Sequence, residues 1–133
     1  MALGKKTILG EGVCPPFSNF SQGLMIDGIK RVLFIAGQFP VDENGDLVGK
    51  GDIEAQTRKV YANIEALCKA AGGSLANVAH LNMYVTDIRF RAVVTGIRNE
   101  IFEPPYPTAT MVQIGSLSGE DWLVEIDAIA VFD

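Results

Sequence analysis

The 133-residue chain is poor in the residue types from which most metal, redox and thiol-dependent sites are built. It contains one histidine, two cysteines and one tryptophan. Cys14 and Cys68 form no CxxC pair and have no histidine-rich neighbourhood, which disfavours a disulfide, a zinc site and a cysteine nucleophile. We therefore expect both thiols to be reduced and structural, and we expect neither a metal nor a cofactor.

Positive charge is also scarce. Eleven lysines and arginines stand against sixteen aspartates and glutamates, which gives a net charge of −5 and a pI near 4.8. Basic residues never cluster beyond pairs such as Lys5-Lys6 and Lys30-Arg31. Because such a surface repels a phosphate backbone, the sequence argues against nucleic acid as a partner.

Long apolar runs are missing as well. No stretch of about 18 uncharged apolar residues occurs, and residues 1–12 carry no signal-peptide core, so we expect a cytoplasmic protein with no membrane partner. Yet 48% of the residues are hydrophobic and the mean hydropathy is +0.22, which is high for one 14.3 kDa domain spanning residues 1–133. We expect part of the apolar surface to be buried in a homo-oligomer.

The pattern of apolar and turn-forming residues predicts the element order βββαβαββ. Predicted strands lie near residues 7–9, 21–26, 30–36, 78–86, 109–114 and 122–132, and predicted helices span about 52–71 and 87–102. Asp27-Gly28 predicts a hairpin between the second and third strands. Helices on one face of a mixed sheet give an α+β sandwich whose other face, with Met25 and Phe34, is open.

The two helices have predicted caps and apolar faces. Asp52 and Asp87 are the predicted N-caps. The predicted apolar stripes are Ile53, Val60, Ile64, Leu67, Cys68 and Ala71 on the first helix, and Phe90, Val93, Val94, Ile97 and Ile101 on the second. Gly96 interrupts the second helix at a cost of about 0.5–1 kcal/mol relative to alanine, which predicts a closely packed neighbour or a bend.

Strand periodicity defines the candidate polar residues. The strand 78–86 places Ala79, Leu81, Met83 and Val85 on one face and His80, Asn82, Tyr84 and Thr86 on the other. His80 is predicted to be a hydrogen-bonded structural residue. The last strand places Glu125 and Asp127 on a face that is otherwise apolar, so each carboxylate needs a partner or a raised pKa.

Several segments together resemble the Rid (YjgF) family. They are Phe20-Ser21-Gln22-Gly23, Ala36-Gly37-Gln38-Phe39-Pro40, Gln56-Thr57-Arg58 with Asn63-Ile64, Tyr84-Val85-Thr86-Asp87 and Val124-Glu125-Ile126-Asp127-Ala128-Ile129-Ala130. The resemblance implies a chorismate-mutase-like fold and a homotrimer around a central barrel, with small-molecule clefts between subunits. Many family members hydrolyse reactive enamines or imines to a ketoacid and ammonia.

The same resemblance implies which positions line the cleft. In the deaminase group these carry a Tyr, a Ser, an Asn, an Arg and a Glu. The chain has Phe20, Ala36, Thr95 and Ala109 at the first four positions, and only Glu125, beside Gly37, is kept. Thr110 offers a further hydroxyl contact. Because Ala109 removes the guanidinium that holds the substrate carboxylate, we expect little activity on 2-iminobutanoate or 2-iminopropanoate.

Two functions remain open. One is a divergent hydrolase that acts on a non-standard enamine or imine, with Glu125 orienting water or transferring a proton. The other is a trimer that binds a small ligand without chemistry, in which Glu125 is an interface acid. The endoribonuclease activity sometimes assigned to the family is disfavoured by the acidic charge.

Overall fold

A computed structural model describes residues 3–133, and its elements follow the predicted order βββαβαββ. The strands are β1 (Gly4–Ile8), β2 (Gly23–Asp27), β3 (Arg31–Gln38), β4 (Val78–Val85), β5 (Thr108–Gln113) and β6 (Val124–Phe132). The helices are α1 (Ile53–Ala70) and α2 (Arg91–Ile101), and short 3₁₀ turns precede β4 and α2. Neither helix has the length and apolarity needed to cross a bilayer, in the part of the chain that is described.

The four-stranded sheet has the order β3-β6-β4-β5. β4 and β5 are parallel, whereas β6 is antiparallel to both of its neighbours, so the sheet is mixed as predicted. β6 lies inside this sheet, and its Val124, Ile126, Ala128 and Ala130 side chains are at most 2% exposed. α1 packs on this face against β6 and β3, which confirms the α+β arrangement with helices on one side.

The predicted hairpin between the second and third strands is wrong. β2 pairs with β1 in a separate two-stranded sheet, and β3 pairs with β6. Gly28 does adopt the positive φ (86°) that the Asp27-Gly28 pair predicted. A turn residue fixes the local backbone angles only, and the two strands find their hydrogen-bond partners elsewhere.

The alternation along β4 is confirmed except at its first residues. Leu81, Met83 and Val85 are at most 1% exposed, but Val78 is the buried residue at the start of the strand, and Ala79 is not. The register with β6 shifts between Val78 and His80, which is a bulge. The extra residue of a bulge reverses the side-chain alternation on one side of it.

Each helix differs from its predicted apolar stripe at one position. Asp52 accepts a hydrogen bond from Ala55 N at 3.1 Å and caps α1 as predicted, but Leu67 is 40% exposed. Asp87 caps the 3₁₀ turn Ile88–Phe90, and α2 begins only at Arg91. On α2, Val93 is 37% exposed, whereas Arg98 is only 4% exposed.

A fully buried amide, Gln56, ties α1 to the segment that leads into β6. Its Nε2 donates to the carbonyl oxygens of Gly49 and Asp121, each at 3.0 Å, and its Oε1 accepts from Leu123 N at 2.8 Å. The side chain is 0% exposed, so these three bonds replace all of its hydration. Gln56 therefore fixes where β6 enters the sheet.

Gln56→Glu should lower the free energy of unfolding by about 3 kcal/mol, because a carboxylate oxygen would face two carbonyl oxygens in a site without water. Urea unfolding of the variant and the wild type at pH 7 measures the difference. The matched control is Gln22→Glu, since the amide of Gln22 makes an exposed bond to the Cys14 carbonyl. A loss at position 56 no larger than at position 22 would contradict the role of this amide.

Candidate active site

The predicted site residues fall on opposite faces of the four-stranded sheet. In the register of β4 and β5, Leu81 lies opposite Ala109 and Asn82 opposite Thr110. Leu81 is buried in the core beneath the helices, so Ala109 faces the helices and Thr110 faces the other way. We refer to these as the helix face and the outer face of the sheet.

A cleft of about 740 Å³ lies on the helix face, between α2, β5 and the loop containing residues 17–20. Three predicted site residues, Phe20, Thr95 and Ala109, line it together. The other lining residues are Phe17, Ser18, Met83, Arg91, Ala92, Gly96, Arg98, Asn99 and Met111. We call this the helix-side cleft.

Arg98 is the residue of this cleft that the sequence analysis missed. It is only 4% exposed, although it is charged. Its Nη2 donates to Ser18 Oγ at 2.6 Å, and its Cζ lies 5.6 Å from the centre of the Phe20 ring. Desolvation by burial lowers the pKa of Arg98, and among the described residues no carboxylate forms an ion pair with it. A sequence signal existed, because Arg98 is flanked in helical spacing by Val94 and Ile101 on the buried stripe.

Two buried polar atoms of this cleft have no hydrogen-bond partner. They are Arg98 Nε, a donor, and Asn99 Oδ1, an acceptor, and no other such side-chain atom occurs within residues 3–133. Both residues line the helix-side cleft. Because unpaired buried polar atoms are costly and rare, their concentration at one place makes the helix-side cleft a candidate binding site.

Gly96 also lines the cleft. A Cβ placed on it would meet no atom within 4 Å, so the close neighbour predicted from the sequence is not found within the described chain. The residue instead leaves the wall of the cleft without a side chain between Thr95 and Ile97.

Glu125 lies on the outer face, against Gly37. β3 has a bulge here, because Ile35 pairs with Ala128 and Gln38 pairs with Ile126, which leaves Ala36 and Gly37 opposite the single residue Asp127. A Cβ on Gly37 would lie 2.8 Å from Glu125 Cδ. Position 37 therefore has to be glycine for the Glu125 side chain to lie where it does.

The two carboxylates of β6 meet the two conditions that the sequence analysis set. Asp127 accepts hydrogen bonds from Asn82 Nδ2 at 2.8 Å and from the Tyr84 hydroxyl at 3.0 Å. For Glu125, desolvation and then the nearby Asp127 charge raise the pKa. The hydrogen bond to Asp127 likewise raises the pKa of Tyr84. Of the two carboxylates, Glu125 is thus the one whose pKa is raised.

His80 lies at the edge of the same polar cluster. Its Nδ1 is 2.7 Å from Thr108 Oγ1 and its Nε2 is 3.1 Å from Asn82 Oδ1. Both ring nitrogens are therefore used in hydrogen bonds within the chain, as predicted for a structural histidine.

The predicted residues therefore form two groups within one chain. Phe20, Thr95 and Ala109 line the helix-side cleft. Glu125 and Gly37 contact each other on the outer face. The remaining two, Ala36 and Thr110, are exposed near that second group. The sheet separates the two groups.

Comparison with known proteins agrees with this fold. A family model described as Endoribonuclease L-PSP matches residues 13–132. A RutC family protein of Pyrococcus abyssi is 34% identical over 129 residues, which cover 96% of this chain and 98% of that protein. The 3-aminoacrylate deaminase RutC of Acinetobacter baylyi is 34% identical over 126 residues, with 95% and 97% covered.

Solved structures of other proteins are also similar to this chain in fold and sequence. YyfB of Yersinia pestis, a Rid family protein of unknown function, has a TM-score of 0.86 and 31% identity, over 96% of this chain and 98% of its own. E. coli TdcF with bound serine has a TM-score of 0.69 and 28% identity, over 96% and 99%. The α+β fold and the family match together define the class, and the chain belongs to the Rid family.

The raised pKa of Glu125 predicts how stability depends on pH. The folded protein binds this proton more tightly than the unfolded chain does. The free energy of unfolding should therefore fall as the pH rises from the ordinary value of 4.5 through the raised pKa. Glu125→Gln removes this loss, so the variant should gain stability relative to the wild type across that window, with no further relative change above or below it.

Urea unfolding at pH 3 to 9 measures this difference. Glu120→Gln, in an exposed loop position, is the matched control and should keep the wild-type profile. A constant difference between wild type and Glu125→Gln across the window would show that Glu125 keeps its ordinary pKa.

Proposed function

We propose that this protein hydrolyses a small, reactive enamine or imine that carries a carboxylate, in clefts between the subunits of a homotrimer. The observation that carries the proposal is the contact of Glu125 with Gly37, which holds a carboxyl group of raised pKa beside Asp127 on the outer face of the sheet. The exposed thiol of Cys14 favours action in the reducing cytoplasm.

The trimer is supported by the outer face of the sheet. Phe34 is 77% exposed there, Val32 47% and Val112 42%. Exposed apolar side chains of this size on one sheet face are typical of a surface that a partner covers. A second copy would also bring the outer face of one chain next to the helix-side cleft of another, which is how the two groups of site residues can meet.

The chemistry needs one acid that gains and loses a proton. Protonated Glu125 would donate its proton to the enamine carbon next to the carboxylate, which converts the C–N bond to an iminium. A water molecule then adds to the iminium carbon while the Glu125 carboxylate accepts a proton from it. A proton then passes from the new hydroxyl group to the amino nitrogen, the C=O bond forms as the C–N bond breaks, and ammonia leaves, so Glu125 ends the cycle protonated as it began. The net reaction consumes one water and yields a carbonyl compound and ammonia.

The substrate class follows from Ala109 and from a relative. Ala109 offers no charge for the carboxylate of the usual 2-imino acids, so these should bind poorly. The Acinetobacter baylyi relative is named for 3-aminoacrylate, in which the amino carbon lies one carbon farther from the carboxylate. We propose that the substrate resembles 3-aminoacrylate in the position of its amino group. The carboxylate of such a substrate can be bound at a position in the cleft other than that of Ala109.

A second candidate function is binding without chemistry. It is favoured by Phe20, Ala36, Thr95 and Ala109, which replace four of the five cleft side chains of the deaminase group. RNA cleavage is less well supported, because the net charge is −5.

The activity is tested by generating 3-aminoacrylate and 2-iminobutanoate enzymatically in the assay and following their decay. The wild type should accelerate the decay of 3-aminoacrylate more than that of 2-iminobutanoate. Glu125→Gln should reduce the rate by at least about 100-fold because the proton donor is lost. Glu120→Gln should leave it unchanged. Equal rates for wild type and Glu125→Gln would favour the non-catalytic function.

The oligomer is tested by sedimentation at micromolar concentration. The wild type should sediment at three times the chain mass of 14.3 kDa. Phe34→Asp should dissociate it, because a charge in an apolar interface loses its hydration. The control Leu67→Asp, at a 40% exposed position on α1, should stay trimeric. A monomeric wild type would contradict the proposed assembly.

A further inference from the structure

We propose that Arg98, together with Asn99, is the substrate anchor of the helix-side cleft, and that it binds the carboxylate of a small ligand that also carries an N–H group. The reading of this ligand as a substrate rests on the proposed function. The anchor itself rests on the contacts of the cleft.

The buried charge of Arg98 is costly without an anion. Arg98 is 4% exposed and has no carboxylate partner among the described residues. A guanidinium removed from water without an anion loses hydration that a single hydroxyl contact does not replace. A ligand carboxylate in the cleft would supply the missing charge.

The guanidinium of Arg98 is held in place and still has unused N–H donors. Ser18 Oγ accepts from Nη2 at 2.6 Å and the Phe20 ring lies 5.6 Å from Cζ. These two contacts use one of the five N–H groups and leave Nε unpaired. A fixed guanidinium with free donors binds a carboxylate with two hydrogen bonds at little entropic cost.

The unpaired atoms of Arg98 and Asn99 indicate which groups the ligand carries. Asn99 Oδ1 is an unpaired acceptor next in sequence to the unpaired donor of Arg98, and both residues line the cleft. A ligand that satisfies both atoms carries one hydrogen-bond acceptor and one donor, and a carboxylate with an amino group supplies the two. Amino-substituted short carboxylates have this combination.

The anchor also accounts for Ala109. Ala109 lines the same cleft as Arg98, so an arginine at position 109 would bring a second guanidinium towards the first. Like charges in a partly desolvated site repel strongly. The chain thus has its cleft guanidinium on α2 instead of on β5.

The proposal is tested on the wild-type protein by NMR titration of the Arg98 Nε–H resonance. Propanoate should shift this resonance with saturation, whereas its neutral isostere propanamide should not. Absence of a saturable shift with propanoate, or an equal shift with propanamide, would overturn the anchor. This measurement needs no variant.

Variants separate the two anchoring groups. Arg98→Gln should weaken propanoate binding at least about 10-fold, and Arg98→Lys should restore only part of it because the two-bond geometry is lost. Arg89→Gln, at an 88% exposed side chain, is the control and should bind like the wild type. Asn99→Leu should weaken 3-aminopropanoate but not propanoate. An equal change in the affinity for both ligands would show that Asn99 is not part of the anchor.

The outcomes also separate the anchor from the proposed function. Propanoate binding at Arg98 without 3-aminoacrylate hydrolysis would retain the anchor and reject the hydrolase. Hydrolysis that is unchanged in folded Arg98→Gln would retain the hydrolase and reject the anchor.

Discussion

The position of β6 inside the sheet is the constraint on which the rest of the structure depends. Both edges of this strand are hydrogen-bonded, to β3 and to β4, so its side chains can only alternate between the two faces. One face carries the core residues Val124 and Ile126. The other consequently holds Glu125 and Asp127 on a surface where Phe34 is exposed. Asp127 is satisfied by Asn82 and Tyr84, and Glu125 is the carboxylate whose pKa rises.

The helix-side cleft, in contrast, contains a buried cation, Arg98, without an anion beside it. Arg98 is fixed by Ser18 and Phe20, yet it lacks a carboxylate. Glu125, the carboxyl group whose pKa is raised, is on the opposite face of the same sheet. Hydrolysis of an anionic enamine needs both properties at one substrate, a cation for the carboxylate and an acid for the carbon. The separation of the two within one chain is the physical reason to expect a site made by two chains.

Sequence periodicity predicted most of the fold because burial dominates it. The alternation along β6 and the capping of α1 by Asp52 are both found, since each depends only on neighbouring residues. The pairing of β2 with β1 was missed because Asp27-Gly28 specifies a turn and not a partner strand. The register shift between Val78 and His80 was not predicted, because the alternation of apolar and polar residues in the sequence does not reveal a bulge.

The candidate site was predictable only in part. The contact of Glu125 with Gly37 followed from the family resemblance, and the structure places the two residues together. Arg98 was missed because a charged residue on an amphipathic helix is ordinarily assigned to the solvated face. Its spacing from Val94 and Ile101 nevertheless places it on the buried side of α2. Its unpaired Nε becomes visible only once every neighbour is placed.

Subunit complementation tests the central claim most directly, that Glu125 of one chain and Arg98 of another serve one substrate. Glu125→Gln and Arg98→Gln, each expected to have a much lower rate alone, are unfolded together, refolded as mixed trimers and assayed for 3-aminoacrylate hydrolysis. If each cleft takes Glu125 from one chain and Arg98 from another, about a quarter of the clefts in an equal mixture contain both native side chains. The mixed trimers should then recover about a quarter of the wild-type activity. If mixed trimers stay as slow as their parents, the two residues do not share a cleft across chains and the account is wrong.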